Sequence, residues 1–132
     1  MKATFINLPI HNVKKTDDFF GALGLEKNPH YADDRTTNCK LNDTTFVMLL
    51  EDSRFIEFTN APIDRHAINH LVAMSFDTPQ AVDDFFHKAI AAGATDTTKP
   101  SPDSEAFMYG KAFRDINGHI WELFAFLQEM PK

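Results

Sequence analysis

The sequence predicts an α+β fold made of two βαβββ modules, each a mixed, curled sheet with its helix on the outside. Three observations predict it. The tetrapeptide Asp17-Asp18-Phe19-Phe20 recurs as Asp83-Asp84-Phe85-Phe86, an offset of 66 in a chain of 132 residues. Alternating apolar residues precede both copies at the same offset, Ile6, Leu8 and Ile10 in the first and Val72, Met74 and Phe76 in the second. Each copy then runs into a glycine stop, Gly24 and Gly93. Repetition over half a chain is the mark of one structural unit written twice.

In the first half, residues 3–10 alternate as a strand, with Phe5, Asn7 and Pro9 on one face and Ile6, Leu8 and Ile10 on the other. Thr16 is the expected N-cap of a helix whose first turn carries Asp17 and Asp18, whose stripe is Phe19, Phe20 and Leu23, and whose stop is Gly24. Strands are expected near 27–31 and 36–41. A turn at Asn42-Asp43 then leads into an apolar strand, Thr45–Leu50.

The second half repeats this order: a strand over 68–76, a helix capped by Asp77 or Thr78 with Pro79 in its first turn, and a stripe of Val82, Phe85, Phe86, Ala89 and Ile90. Short strands near 94–98 and 106–113 follow, then the turn Asn117-Gly118 and a strand His119–Phe126. The expected organisation is a single domain with modules at about 1–51 and 67–127, joined by a linker over 52–66.

Composition narrows the function. A chain of 132 residues, 43% hydrophobic and with 13 phenylalanines, is long enough to bury a sizeable aromatic core. Its net charge of −6, without a basic run, argues against nucleic acid and anionic membrane surfaces as partners. No apolar stretch approaches the roughly 20 residues that cross a bilayer, and the N-terminus reads as a strand and not as a signal peptide. The lone Cys39 fits a reducing cytoplasm and reads as a small buried strand residue.

Strand parity selects the site. Because a helix covers one sheet face, the uniformly apolar face goes with the helix. Phe5, Asn7, Leu71, Ala73 and Ser75 therefore point to the opposite, concave side. In the last strands, residues 43–48 align with 117–122, which makes Met48 the counterpart of Glu122. A carboxylate among Ile120, Trp121, Leu123 and Phe124 is costly to bury unpaired.

Residues 5–10 with 16–24, the stretch Asp115-Ile116-Asn117-Gly118-His119-Ile120-Trp121-Glu122, and the segments 46–50 and 108–110 together resemble the vicinal oxygen chelate superfamily, which includes glyoxalase I, extradiol dioxygenases, and bleomycin- and fosfomycin-resistance proteins. The resemblance covers nearly the whole chain and implies the glyoxalase/bleomycin-resistance/dioxygenase-like fold, a small-molecule ligand or substrate, and a homodimer. It also implies four metal-ligand places, one on the first and one on the last strand of each half, usually His, Glu or Gln. Here these are Phe5, Met48, Leu71 and Glu122. Only Glu122 suits a divalent ion, so no cofactor is assigned, although the resemblance admits a divalent metal. His70, beside Leu71, is the alternative ligand partner for Glu122. Parity sends it to the helix side unless a bulge intervenes, which makes it a capping or edge histidine.

The expected function is binding of a small, partly apolar molecule without a tightly held metal. Glu122 is the candidate catalytic base or hydrogen-bond acceptor. Phe5, Asn7, Phe46, Met48, Leu50, Leu71, Tyr109, Ile120 and Phe124 are candidate lining residues. Asn7 could equally satisfy a neighbouring strand, Tyr109 either lines the pocket or packs, and for Trp121 packing is favoured. The alternatives are a metal-dependent lyase or dioxygenase using Glu122 and His70, and a non-catalytic interaction module with a closed interior. His119 is expected to be exposed or a local hydrogen-bond donor. His11, His30, His66 and His87 show no ligand spacing. Asp33-Asp34 reads as a solvated turn, and Asp115 as the residue that holds the turn at 117–118.

Overall fold

The computed structural model describes residues 1–128, and the chain divides into two compact units, Met1–His66 and Ala67 onward. In the first unit, β1 (Thr4–Ile10), β2 (Thr36–Asn42) and β3 (Thr45–Glu51) form a sheet of order β1-β3-β2, with β1 parallel and β2 antiparallel to β3. Helix α1 (Val13–Ala22) packs on β2 and β3. It buries Thr16, Phe19, Phe20 and Leu23 on one side, as its apolar stripe requires. Each buried phenylalanine contributes about 1.5–3 kcal/mol of transfer free energy.

The helix starts a turn earlier than expected. Asn12, not Thr16, is the N-cap, its side chain accepting from the Lys15 amide at 2.9 Å. Thr16 lies inside α1 and is fully buried. The Asp17-Asp18 pair consequently sits in the second turn. There Asp17 accepts the Thr37 hydroxyl of β2 and pairs with Lys27.

The strand expected at 27–31 is also absent. Asn28 caps a 3-10 turn, Pro29–Tyr31, and only a single bridge, Glu26 to Lys40, marks the place of a fourth strand. Pro29 has no amide to donate to a ladder. The Asn38 side chain takes over, bonding the Asn28 amide and the carbonyls of Asn28 and Tyr31. Segment 52–66, expected to be a linker, opens with helix α2 (Asp52–Thr59), which packs on β1 and β3. A residue in the left-handed region, Asn60 at φ 52°, terminates it.

The second unit runs β4 (Val72–Ser75), α3 (Pro79–Ala91), β5 (Thr95–Asp96), β6 (Met108–Arg114) and β7 (Ile120–Phe126), a βαβββ order. Its sheet, β4-β7-β6-β5, has the arrangement of the first, with a parallel pair at one edge and antiparallel strands beyond it. The first strand is shorter than the expected 68–76, although the Phe76 amide still reaches the Phe124 carbonyl at 2.8 Å. Thr78 caps α3 through the Ala81 amide, and Pro79 occupies the first turn. Val82, Phe86 and Ala89 face β6 and β7.

Candidate functional site

Register places the candidate residues in two sets, one in each unit. In the first, Phe5 opposes Phe46, Asn7 opposes Met48, and Asn38 opposes Met48 from the other side. Opposed residues share a face, so Phe5, Asn7, Phe46, Met48 and Leu50 lie on the side away from α1. Phe5 stacks on Phe46 with ring centroids 5.1 Å apart and 17° between planes. Tyr31 meets Phe5 edge-on at 6.4 Å. Phe5 and Tyr31 are each about half exposed, at 48% and 50%, whereas Leu50 is buried. Sequence reasoning missed Tyr31. Its signal was Asn28-Pro29, the cap and first residue of a 3-10 turn. The Asn7 amide turns back to its own strand, 3.4 Å from the Phe5 carbonyl.

In the second unit, Ala73 opposes Glu122 on one side and Ala112 opposes it on the other. The offsets that relate the halves therefore hold in the pairing: Asn7, Met48 and Asn38 correspond to Ala73, Glu122 and Ala112. Glu122 is exposed between buried Trp121 and buried Leu123, and both its cross-strand neighbours are alanines, so its carboxylate stands above short side chains. Ile120, Phe124 and Phe126 alternate with it on the same face, the last two rings meeting edge-on at 5.4 Å. Leu71, just before β4, is 49% exposed. Arg114, opposed to Ile120, belongs to this face as well and was not picked out from the sequence. Recognising it needs the β6–β7 register, which alternation along one strand does not supply.

Two candidates stand apart. The hydroxyl of Tyr109 donates to Asp83 of α3 at 2.6 Å, which places Tyr109 on the helix side, away from Glu122. The bond to Asp83, with burial and the nearby charge, holds the phenol above its ordinary pKa. The His70 ring lies 5.4 Å from that of His119. Burial of its partly covered ring, and then the neighbouring His119, push His70 below its ordinary pKa, while Asp115 pulls the other way. His119 itself is only 7% exposed, which removes the exposed alternative of the two expected for it.

Asp115 organises this corner. Its Oδ1 accepts the amides of Asn117 and His119, and its Oδ2 accepts the indole N–H of Trp121 at 2.8 Å. Gly118, at φ 92°, completes the turn in a conformation open to glycine. Trp121 packs in the core at 1% exposure, and Cys39 is equally buried on β2. His11, His30, His66, His87, Asp33 and Asp34 are exposed.

The four ligand places do not fit a hard divalent ion. Phe5 and Leu71 carry no donor atom, and Met48 offers a soft thioether. Glu122 alone supplies oxygen, and the His70 ring lies against His119. Among the described residues, no group of three or more His, Cys, Asp or Glu side chains is gathered to hold a metal ion. What the Glu122 face can do is accept a hydrogen bond or a proton from a molecule laid against its apolar neighbours.

No helix among the described residues is long and apolar enough to cross a membrane. No family model and no curated protein matches the chain, but solved structures do. A hypothetical protein from S. aureus is similar over 95% of this chain and 94% of its own, at 23% identity and a TM-score of 0.81. A glyoxalase/bleomycin resistance protein/dioxygenase family enzyme from Burkholderia phytofirmans covers 93% of this chain and 97% of its own, at 17% identity and a TM-score of 0.78. The fosfomycin resistance protein FosX from Listeria monocytogenes, complexed with Mn(II) and sulfate, covers 92% of this chain and 87% of its own, at 17% identity and a TM-score of 0.68. The chain thus carries the fold of the glyoxalase, bleomycin resistance and dioxygenase proteins.

Proposed function

We propose that the protein binds a small, partly apolar organic molecule on the open face of its second sheet, with Glu122 as the polar anchor and without a tightly held metal. One observation carries this reading: Glu122 is an exposed acid on an apolar face, set between Ala73 and Ala112, which leave room above it. Ile120, Phe124 and Phe126, which alternate with Glu122 on the same face, support a ligand with an apolar part. Where the bound molecule carries an acidic proton, Glu122 is the group placed to take it. The metal-free part rests on the donor set, in which three of the four ligand places lack a hard ligand atom. A homodimer and a cytoplasmic setting complete the reading, and sedimentation equilibrium tests the first.

The test is twofold. Aromatic and aliphatic small molecules are expected to raise the melting temperature of the protein and not that of Glu122→Ala. Titration with manganese, zinc, nickel and iron is expected to give no stoichiometric binding. A tight one-to-one metal complex that disappears in Glu122→Ala overturns the metal-free reading and restores the lyase or dioxygenase alternative. A library without a single hit favours the interaction module.

A further inference from the structure

Among the described residues, Glu122 and Arg114 are the two charged side chains on the open face of the second sheet, and they leave each other unpaired. Ala112 opposes Glu122 and Arg114 opposes Ile120, so the acid and the base sit diagonally across the β6–β7 pair. Diagonal neighbours lie about 7–8 Å apart at the backbone, within reach of a long arginine side chain. Even so, neither Glu122 nor Arg114 makes a hydrogen bond or ion pair among the described residues. Arginines elsewhere in the chain do find acids, Arg35 on Glu57 and Arg65 on Asp52. Around this pair the face is apolar or small: Ile120 and Phe124 on β7, Ala112 and Gly110 on β6.

We infer that the ligand of this face is a zwitterion with an aromatic or branched apolar arm, of the amino-acid class, whose acid group meets Arg114 and whose protonated nitrogen meets Glu122. The inference rests on the reading that this face binds a small molecule, and it adds the charge pattern of that molecule. A purely anionic ligand would lie against Glu122, and a purely cationic one against Arg114. Only a ligand carrying both signs satisfies both residues. The guanidinium fork suits a carboxylate, which it grips with two parallel hydrogen bonds. The apolar arm then lies over Phe124.

Four probes with one phenyl arm separate the possibilities: L-phenylalanine, 3-phenylpropanoate, phenethylamine and 3-phenylpropan-1-ol. Binding is followed by calorimetry and by amide NMR shifts in the parent, Glu122→Gln and Arg114→Gln proteins, whose spectra away from the face report that they fold. L-Phenylalanine is expected to bind at least roughly tenfold tighter than each of the other three, the scale of one charge-assisted hydrogen bond. Its affinity is expected to fall to that of 3-phenylpropanoate in Glu122→Gln and to that of phenethylamine in Arg114→Gln. Equal binding of the neutral alcohol and the zwitterion on this face overturns the inference and leaves the proposed function standing. A zwitterion preference unchanged in both variants overturns the assignment to these residues. Binding by none of the four overturns the inference and the proposed function together.

Discussion

The hydroxyl of Tyr109 on β6 is bonded to the carboxylate of Asp83 on α3 at 2.6 Å, fastening the helix to its sheet through the first acid of the repeated tetrapeptide. The corresponding acid in the other half, Asp17, is bonded to the Thr37 hydroxyl of β2. Both copies of the motif thus use their phenylalanines to bury the helix and their first aspartate to take a hydroxyl from a strand. This explains why the repeat retains an acid next to an apolar stripe, which helix propensity alone would not require.

Tyr109→Phe is therefore expected to lower stability by about 1 kcal/mol, the ordinary net value of a partly solvated hydrogen bond. The pH dependence has a definite sign. The folded-state pKa of Tyr109 lies above its ordinary value near 10, so its contribution is complete below about 10 and is lost as pH rises through the raised value. Urea melts at neutral and alkaline pH check both parts. A Tyr109→Phe protein that declines at alkaline pH as steeply as the parent refutes the assignment.

Asp115 is the second acid whose removal is expected to be costly. It is 5% exposed and accepts two amides and the Trp121 indole. Asp115→Ala leaves those donors buried without their acceptor, at a cost of about 2–4 kcal/mol. Trp121 is the single tryptophan, so its fluorescence reports this corner alone. The expected outcome is a lower denaturation midpoint together with a shifted emission maximum in the folded protein. A native-like spectrum in Asp115→Ala would show that the indole bond contributes nothing there.

Much of this architecture was legible because the sequence states it twice. The offset that aligned the tetrapeptides also aligned Asn7 with Ala73, and the sheet register bears that pairing out. The failures are local contests between chemistry and pattern. Residues 27–31 look extended, but Pro29 lacks an amide and Asn28 caps a turn. Thr16 resembles a cap, but Asn12 captures the Lys15 amide first. Within the candidate site, single-strand alternation found Glu122 and Phe124. It was blind to Tyr31 and Arg114, whose positions depend on which strand or turn lies beside which.

His70 offers a direct measurement. Burial of its ring and the neighbouring His119 lower its pKa below the ordinary 6.5, with Asp115 opposing them. The folded state resists protonating it, so its contribution to stability is complete above 6.5 and is lost as pH falls through the lowered value. NMR titration of the histidine ring protons is expected to show His70 titrating below its ordinary 6.5. In His119→Gln that residue moves upward, because one of the two lowering influences is gone. A His70 that titrates at or above its ordinary 6.5 contradicts the contact.

Glu122 and Leu123 are adjacent on β7 and point to opposite faces, which allows binding and stability to be separated within two residues. Leu123 is fully buried on the helix side, and Leu123→Ala is expected to cost about 2–5 kcal/mol. Glu122 is exposed, opposes two alanines and makes no bond to the rest of the chain among the described residues, so Glu122→Ala is expected to change stability by less than about 0.5 kcal/mol. Ligand-induced stabilisation, by contrast, is expected to disappear in Glu122→Ala, because the anchor is lost while the scaffold is intact. Chemical denaturation with and without a bound aromatic probe measures both quantities in one experiment. A large loss of stability in Glu122→Ala would mean that this acid is a structural member of the sheet, and its place at the centre of the binding face would have to be given up.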